Sequence, residues 1–457
     1  MKKILPVLIF ITILLSPLYV VRWEWFGVLP TTLLEASVLA TIAVWGVGKI
    51  LRKDFSWPKT SFDKPILLFL LAAVISLFIT PDLRGGLGVF KAYIAEPILF
   101  FYILVDTFSL SIKSIKSEAL DKGPLKLIFL SLLLSGLWVS LLGIMQVVLG
   151  IGVVTPHEAA AGRAHAVYNT ANAVGLYIGP IFALALGFLS RGKNKEQKVK
   201  SKIADKNLKL LKKLEKTLNS DLFLIFSLCY LLFAIFLSRS TGALVGLAAV
   251  FGVFLLFRLF GVVGGFRVMR TIGVVGVVVG MLFFLSISRF APKVENPWER
   301  PAADTLTPRL CLWEGTKNLL WERPIFGAGL SGFKELYSRE YFTCDAEPLE
   351  YPHNLFLNFW VELGGLGLIA FLWILWGFYK RIRELEIREL DKKTNSLVNQ
   401  FSNPLRVGLT AAMVYLLVHG LVDVPYFKND LALEFWVIIA MLEILARRQF
   451  SLHQNQQ

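Results

Sequence analysis

The sequence predicts an all-α integral membrane protein of about twelve transmembrane helices with one large helical loop on the outer side. Three observations carry this. The 457 residues are 55% hydrophobic but only 18% charged, against about 25% charged in soluble domains. Apolar runs of roughly 20 residues, enough to cross a hydrocarbon core about 30 Å thick, recur from end to end. Most of the 48 basic residues, which outnumber 33 acidic ones to give a net charge of +15, fall in alternate connections between those runs, as the positive-inside rule requires. The same composition excludes a string of soluble domains. With 36 Phe and 12 Trp it also excludes a disordered chain. A basic balance in a soluble protein would point to nucleic acid; here the charge records orientation, and no nucleic-acid partner is expected.

The expected spans cover about 4–21, 31–50, 64–80, 86–106, 125–150, 170–190, 221–237, 241–258, 270–288, 355–378, 404–424 and 431–447. The first follows Lys2 and Lys3 and could serve as a signal peptide. Its end, Pro17-Leu18-Tyr19-Val20-Val21, lacks a small-x-small cleavage site, so it is read as a retained span. Alternation from a cytoplasmic N-terminus puts both termini inside. It also places Lys49, Arg52 and Lys53, then Lys113, Lys116 and Lys122, then the run from Arg191 to Lys216, then Arg258, Arg267 and Arg270, in inner connections. In the 191–220 connection Ile203, Leu208, Leu211, Leu214 and Leu218 recur among lysines. That is a basic amphipathic helix suited to an anionic leaflet. The chain divides into 1–288 with nine spans, 289–353 as the long outer loop, and 354–457 with the last three spans.

The outer loop is nearly charge-balanced. Thr307-Pro308 is a helix start, a hydroxyl cap followed by proline at the first helical position. Leu310, Trp313, Leu320 and Trp321 form its apolar face as far as Pro324. Phe326-Gly327-Ala328-Gly329 is a turn, and Phe333, Leu336, Tyr337 and Tyr341 mark a second short helix. A small helical cap over the membrane part is expected. Cys229 falls in a span. Cys311 and Cys344 share the outer loop, where a disulfide is permitted and both states remain open.

Basic residues left on the outer side are the exceptions worth reading. Arg239 lies in the tight turn Leu237-Ser238-Arg239-Ser240-Thr241-Gly242, Arg309 at a helix start, and Arg163 in Gly162-Arg163-Ala164-His165. Guanidinium forks fit phosphate oxygens and a helix N-terminus favours anions, so a phosphate or diphosphate ligand is one reading. Snorkelling to lipid phosphates is the other. Arg239, fixed in its turn, favours the first. Lys91 and, about one turn deeper, Glu96 lie within a span and either pair with each other or serve function. His353, in Tyr351-Pro352-His353-Asn354 where the loop re-enters the membrane, is either a general base for a hydroxyl or an interfacial capping residue. His157 and His165 are on the same side, and His419, Gly420 and Asp423 could form a polar support there. His157-Glu158 begins a zinc motif that Ala161 breaks. No phosphate loop, dinucleotide fingerprint or carboxylate cage occurs, so neither a metal nor another cofactor is expected. A glycosyl donor would have to arrive on a lipid.

Four stretches resemble the O-antigen ligase and O-antigen polymerase superfamily of bacterial inner-membrane glycosyltransferases. They are Arg163 to Asn172; Ser238 to Gly242; Pro308-Arg309-Leu310 through Phe326-Gly327-Ala328-Gly329; and Pro352-His353-Asn354-Leu355 with Glu362-Leu363-Gly364-Gly365. The resemblance implies about twelve helices, one large periplasmic loop, and metal-independent transfer of a glycan from a polyprenyl-diphosphate carrier to an acceptor hydroxyl. It implies that His353 is the base, that Arg239, Arg309, Arg163 and Lys91 contact the diphosphate, and that Asn354 and Asn172 support them. A glycolipid or glycan acceptor and membrane lipid would be the partners, with the site on the periplasmic side of the inner membrane. A ligase acting on lipid A-core, a repeat-unit polymerase and a protein glycosyltransferase share this pattern. A transporter of lipid-linked glycans, a reading without chemistry, would show repeat-related broken helices with midplane polar sites, and no clear internal repeat is found.

Overall fold

A computed structural model describes residues 4–25, 29–113, 123–152, 154–155, 161–190, 221–259, 307–342, 349–391 and 397–454. The helices are α1 (Ile4–Leu14), α2 (Leu33–Leu51), α3 (Asp63–Leu77), α4 (Leu83–Val89), α5 (Glu96–Lys113), α6 (Gly123–Leu149) and α7 (Ala171–Leu189). They continue with α8 (Asp221–Ser238), α9 (Thr241–Leu259), α10 (Thr307–Glu322), α11 (Phe333–Leu336), α12 (Leu355–Asp391), α13 (Leu397–His419) and α14 (Asn429–Gln454). Among the described residues, six stretches are long and apolar enough to cross a membrane: Leu33–Leu51, Leu83–Ser109, Gly123–Leu149, Ala171–Leu189, Asp221–Ser238 and Leu355–Ile387. Ile4–Leu14, Thr241–Phe257 and Pro404–His419 are shorter apolar helices. The expected span at 270–288 and the basic 191–220 segment lie outside the described residues.

Two departures from the expected all-α pattern occur near the start. The first apolar run is helical only to Leu14; a short 3-10 turn, Ser16–Val20, follows with Pro17 in its first turn. Proline has no N–H to donate and its ring crowds the preceding turn, so the α-helix stops there. The chain then forms an antiparallel hairpin, β1 (Arg22–Trp25) with β2 (Leu29–Thr32). Each strand is only four residues long, too short for an alternating pattern to stand out between two apolar runs.

The hairpin leads directly into α2. Thr32 caps that helix, its hydroxyl accepting from the Glu35 N–H while Glu35 Oε2 accepts from the Thr32 N–H. Both orphan donors are thereby satisfied. Further along, α4 passes into α5 through a wide turn at Phe90–Ala95, where the Glu96 N–H reaches back five residues to the Lys91 carbonyl.

The core centres on α7, which is buried at every position from Ala173 to Phe188. It packs against α13 so closely that a Cβ on Gly187 would sit 2.5 Å from the Gly408 Cα. Small residues permit such approach where lipid supplies no hydrophobic drive for helices to associate.

The outer-loop helices carry their own small core. Leu312, Leu319, Leu320, Phe333, Leu336 and Tyr337 cluster on Val361 of α12. Between α10 and α11, residues 324–332 wedge into α12, which breaks at Gly364 (φ 69°). In an unbroken helix the Gly365 N–H would bond the Val361 carbonyl. Instead Gly365 donates to the Ile325 carbonyl (2.9 Å), and the Val361 carbonyl accepts from Ala328 (2.7 Å). The inserted turn thus takes over both freed backbone groups. Ser76 of α3 closes the joint, donating to the Glu362 carbonyl and accepting from the Leu330 N–H.

Candidate functional site

The site forms where the N-termini of α7, α9, α12 and α14 meet the C-termini of α8 and α13. His353 occupies the turn before α12, with left-handed backbone (φ 48°). Asn354 caps that helix: its Oδ1 accepts from the N–H groups of Phe356 (3.0 Å) and Leu357 (3.1 Å), and its Nδ2 donates to the Leu421 carbonyl (3.0 Å). Trp313 of α10 donates to the Pro352 carbonyl (2.9 Å). The turn is therefore pinned by the helix it starts, by the α13–α14 connection and by the outer-loop helix.

From this turn the imidazole meets Asp423, His353 Nδ1 lying 3.3 Å from Asp423 Oδ1. Asp423 is 3% exposed and also accepts from the Val424 N–H at Oδ1 and from Asn172 Nδ2 (3.4 Å) at Oδ2. Burial pushes its carboxyl up, but the hydrogen bond and charge of His353, with His419 and Lys428 nearby, outweigh burial and hold it well below the ordinary carboxylate range. Asp423 is thus a carboxylate at neutral pH. It favours the tautomer in which His353 Nδ1 carries the proton, which leaves Nε2, with no partner among the described residues, able to accept one.

Asn172 continues the network. Its Oδ1 accepts from Arg163 Nη2 (3.0 Å), and Arg163 Nε donates to the Ser238 carbonyl (3.0 Å). Arg239 is next in the chain, exposed, with φ 51°. Its Nη1 donates to the Ala161 carbonyl (3.1 Å), and the Ala164 N–H donates to the Leu237 carbonyl (3.0 Å). The segment 161–166 and the 237–239 turn are laced together so that two guanidiniums share one rim. Buried Gln146 holds the segment from beneath: Nε2 donates to the Gly152 (2.7 Å) and Ala166 (2.6 Å) carbonyls, and Oε1 accepts from the His165 and Ala166 N–H groups.

Arg309, in the first turn of α10, lies within electrostatic reach of His419, which in turn neighbours Asp423. His419 is 1% exposed, its Nδ1 has no hydrogen-bond partner, and a Cβ on Gly242 would lie 2.6 Å from its ring. His165 serves the backbone: its Nε2 accepts from the N–H groups of Val154 and Thr155, both at 3.2 Å. Lys91 is held elsewhere. It pairs with Glu35 (3.2 Å), not with Glu96 as its spacing suggested. His157 and Cys344 lie outside the described residues, and Cys311 is disulfide-bonded.

The structure therefore joins His353, Asn354, Asn172, Arg163 and the Arg239 turn in one connected set, with Arg309 at its edge and Lys91 in another. The sequence offers Asp423 only as part of a polar support with His419 and Gly420, because seventy residues separate it from His353. Its one signal is an acid three residues after Gly420, at the end of an apolar run. Gln146 gave no signal.

Residues 226–372 match the family model described as O-antigen ligase. Over 84 residues the chain is 36% identical to a Rickettsia conorii protein named as a candidate polysaccharide ligase, a match covering 17% of this chain and 20% of that relative. The chain thus aligns with about a fifth of the curated relative's length. The family match contains Arg239, Arg309, His353 and Asn354; Arg163 and Asn172 precede it and Asp423 follows it. The matches thus relate part of this chain to O-antigen and polysaccharide ligases.

Proposed function

We propose, from an O-antigen-ligase region spanning 226–372, that this chain is a membrane glycosyltransferase moving a glycan from a polyprenyl-diphosphate carrier to an acceptor hydroxyl, such as one on lipid A-core, at the outer face of the inner membrane. One observation carries the reading: the His353–Asp423 pair, with Nε2 open, belongs to the same hydrogen-bonded set as the Arg163 and Arg239 rim. His353 Nε2 takes the proton of the acceptor hydroxyl. That oxygen bonds to the anomeric carbon, the bond from that carbon to the diphosphate oxygen breaks, and the electron pair leaves on the diphosphate. Arg163, Arg239 and Arg309 bind the diphosphate and stabilise the charge it gains, which lowers the barrier where it develops. Asp423 fixes the imidazole and stabilises its protonated form. Base and leaving group on opposite faces give inversion at the transferred sugar.

Purified protein in lipid nanodiscs, supplied with a lipid-linked glycan and candidate acceptors, tests this. The expected product is a glycan joined to a sugar acceptor with inverted anomeric configuration, and acceptor choice separates a ligase from a repeat-unit polymerase. His353→Ala is expected to reduce turnover by about 10²–10⁴-fold, the usual contribution of a general base, while carrier binding persists. Undiminished transfer by that variant, or a retained configuration, would overturn the mechanism.

A further inference from the structure

Three tyrosines from separate elements gather near His353. The Tyr351 ring centroid lies 4.8 Å from that of His353. Tyr351 is within electrostatic reach of Tyr93 and Asp423, and Tyr19 within reach of Tyr93, Tyr351 and Arg22. Tyr19 comes from the 3-10 turn after α1, Tyr93 from the wide turn between α4 and α5, and both turns pack on α14. The Tyr93 ring packs on Phe427 (6.5 Å between centroids) and its backbone carbonyl accepts from the Tyr426 hydroxyl (2.9 Å), while the Tyr19 ring packs on Tyr168 (6.3 Å). None of the three phenol hydroxyls has a hydrogen-bond partner among the described residues.

Cations stand beside them. Arg22 opens β1, is exposed, and has no ion-pair partner among the described residues. Lys91 is 47% exposed at its side chain and is positioned by Glu35 Oε1, while Glu35 Oε2 is fixed by Thr31 and Thr32. A wide helical turn is an uncommon device, often found at functional sites; here it aims both Lys91 and Tyr93.

We propose that Tyr19, Tyr93 and Tyr351, with Arg22 and Lys91, form the acceptor subsite, and that it takes a saccharide bearing an anionic group. The assignment rests on the glycan-transfer reading above. Amphipathic aromatic rings with unused hydroxyls suit a sugar, which offers apolar C–H faces and hydroxyls together. An arginine without a carboxylate partner suits a phosphate or sugar carboxylate. Tyr351, in contact with His353, places an acceptor hydroxyl next to the base.

The test uses the full chain in nanodiscs with two acceptors, a phosphorylated disaccharide glycolipid and its dephosphorylated form. Arg22→Ala is expected to raise the KM for the phosphorylated acceptor roughly tenfold or more, the loss of one charge-assisted contact, with donor KM unchanged and no effect on the dephosphorylated form. Tyr93→Phe, which keeps the ring, is expected to raise KM for both. A sugar carboxylate as the natural group would appear as Arg22-dependent KM with a uronic-acid acceptor but not with the phosphorylated one. Equal KM for wild type and Arg22→Ala with every anionic acceptor, or a rise in donor KM, overturns the proposal. Should the wild type transfer to no acceptor, the glycan-transfer reading falls. Direct calorimetric binding of the phosphorylated glycolipid to wild type and Arg22→Ala still decides the subsite: equal affinity overturns it, weaker binding by the variant supports it.

Discussion

His353 and Arg239 both adopt left-handed backbone, at φ 48° and 51°. Non-glycine residues hold such conformations only when their surroundings insist, at a cost of order 1 kcal/mol or more. Around His353 the insistence is visible in three hydrogen-bonded anchors, at Trp313, Asn354 and Leu421. Asp423 then decides how the imidazole is used. Its folded pKa lies below its unfolded value of about 3.9. The stability it contributes is therefore present in full above about pH 4 and is lost only as pH falls through the depressed value. Acidification from pH 7 to 5 should leave this contribution intact in thermal denaturation of the wild type. Asp423→Asn should remove it at both pH values and lower kcat by roughly 10²-fold or more, within the range set by a general base, with donor KM little changed. An equal loss in donor KM would place Asp423 in donor binding instead.

Among the elements, the break in α12 is the one whose chemistry is most local. Gly364 has φ 69°, and a Cβ there would collide with the Ile325 carbonyl. Gly364→Ala should therefore destabilise the joint by about 1–3 kcal/mol and expel the 324–332 turn. Limited proteolysis should then cleave the outer-loop helices faster than in wild type, while unchanged protection would show that the joint tolerates a side chain. Most helices were legible as apolar runs, because a helix inside a bilayer must be apolar over its length whatever it packs against. The hairpin at Arg22–Thr32 and the wide turn at Phe90–Ala95 were not legible, since each depends on which backbone groups find partners in three dimensions.

For the whole molecule, orientation is the open physical question that charge can answer. The positive-inside rule leads us to expect the basic 191–220 stretch in the cytoplasm and the 307–342 helices across the membrane from it. In a Cys229→Ser background, a membrane-impermeant maleimide applied to intact spheroplasts should label Arg339→Cys and spare Lys206→Cys. Labelling of Lys206→Cys alone would invert the topology.

The sequence by itself determined that the chain is a helical membrane protein, which ionisable residues break its charge pattern, and the O-antigen-ligase resemblance over most of its length, strongest over about 160–370. Those properties follow from composition, hydrophobic run length and short local motifs. Only the tertiary structure decided the partnerships. It set Asp423 against His353, linked Asn172 to Arg163, gave Lys91 to Glu35 and brought three tyrosines together. Each pairing joins residues far apart in the chain, and each is fixed by helix packing and by backbone turns whose hydrogen-bond partners come from other elements.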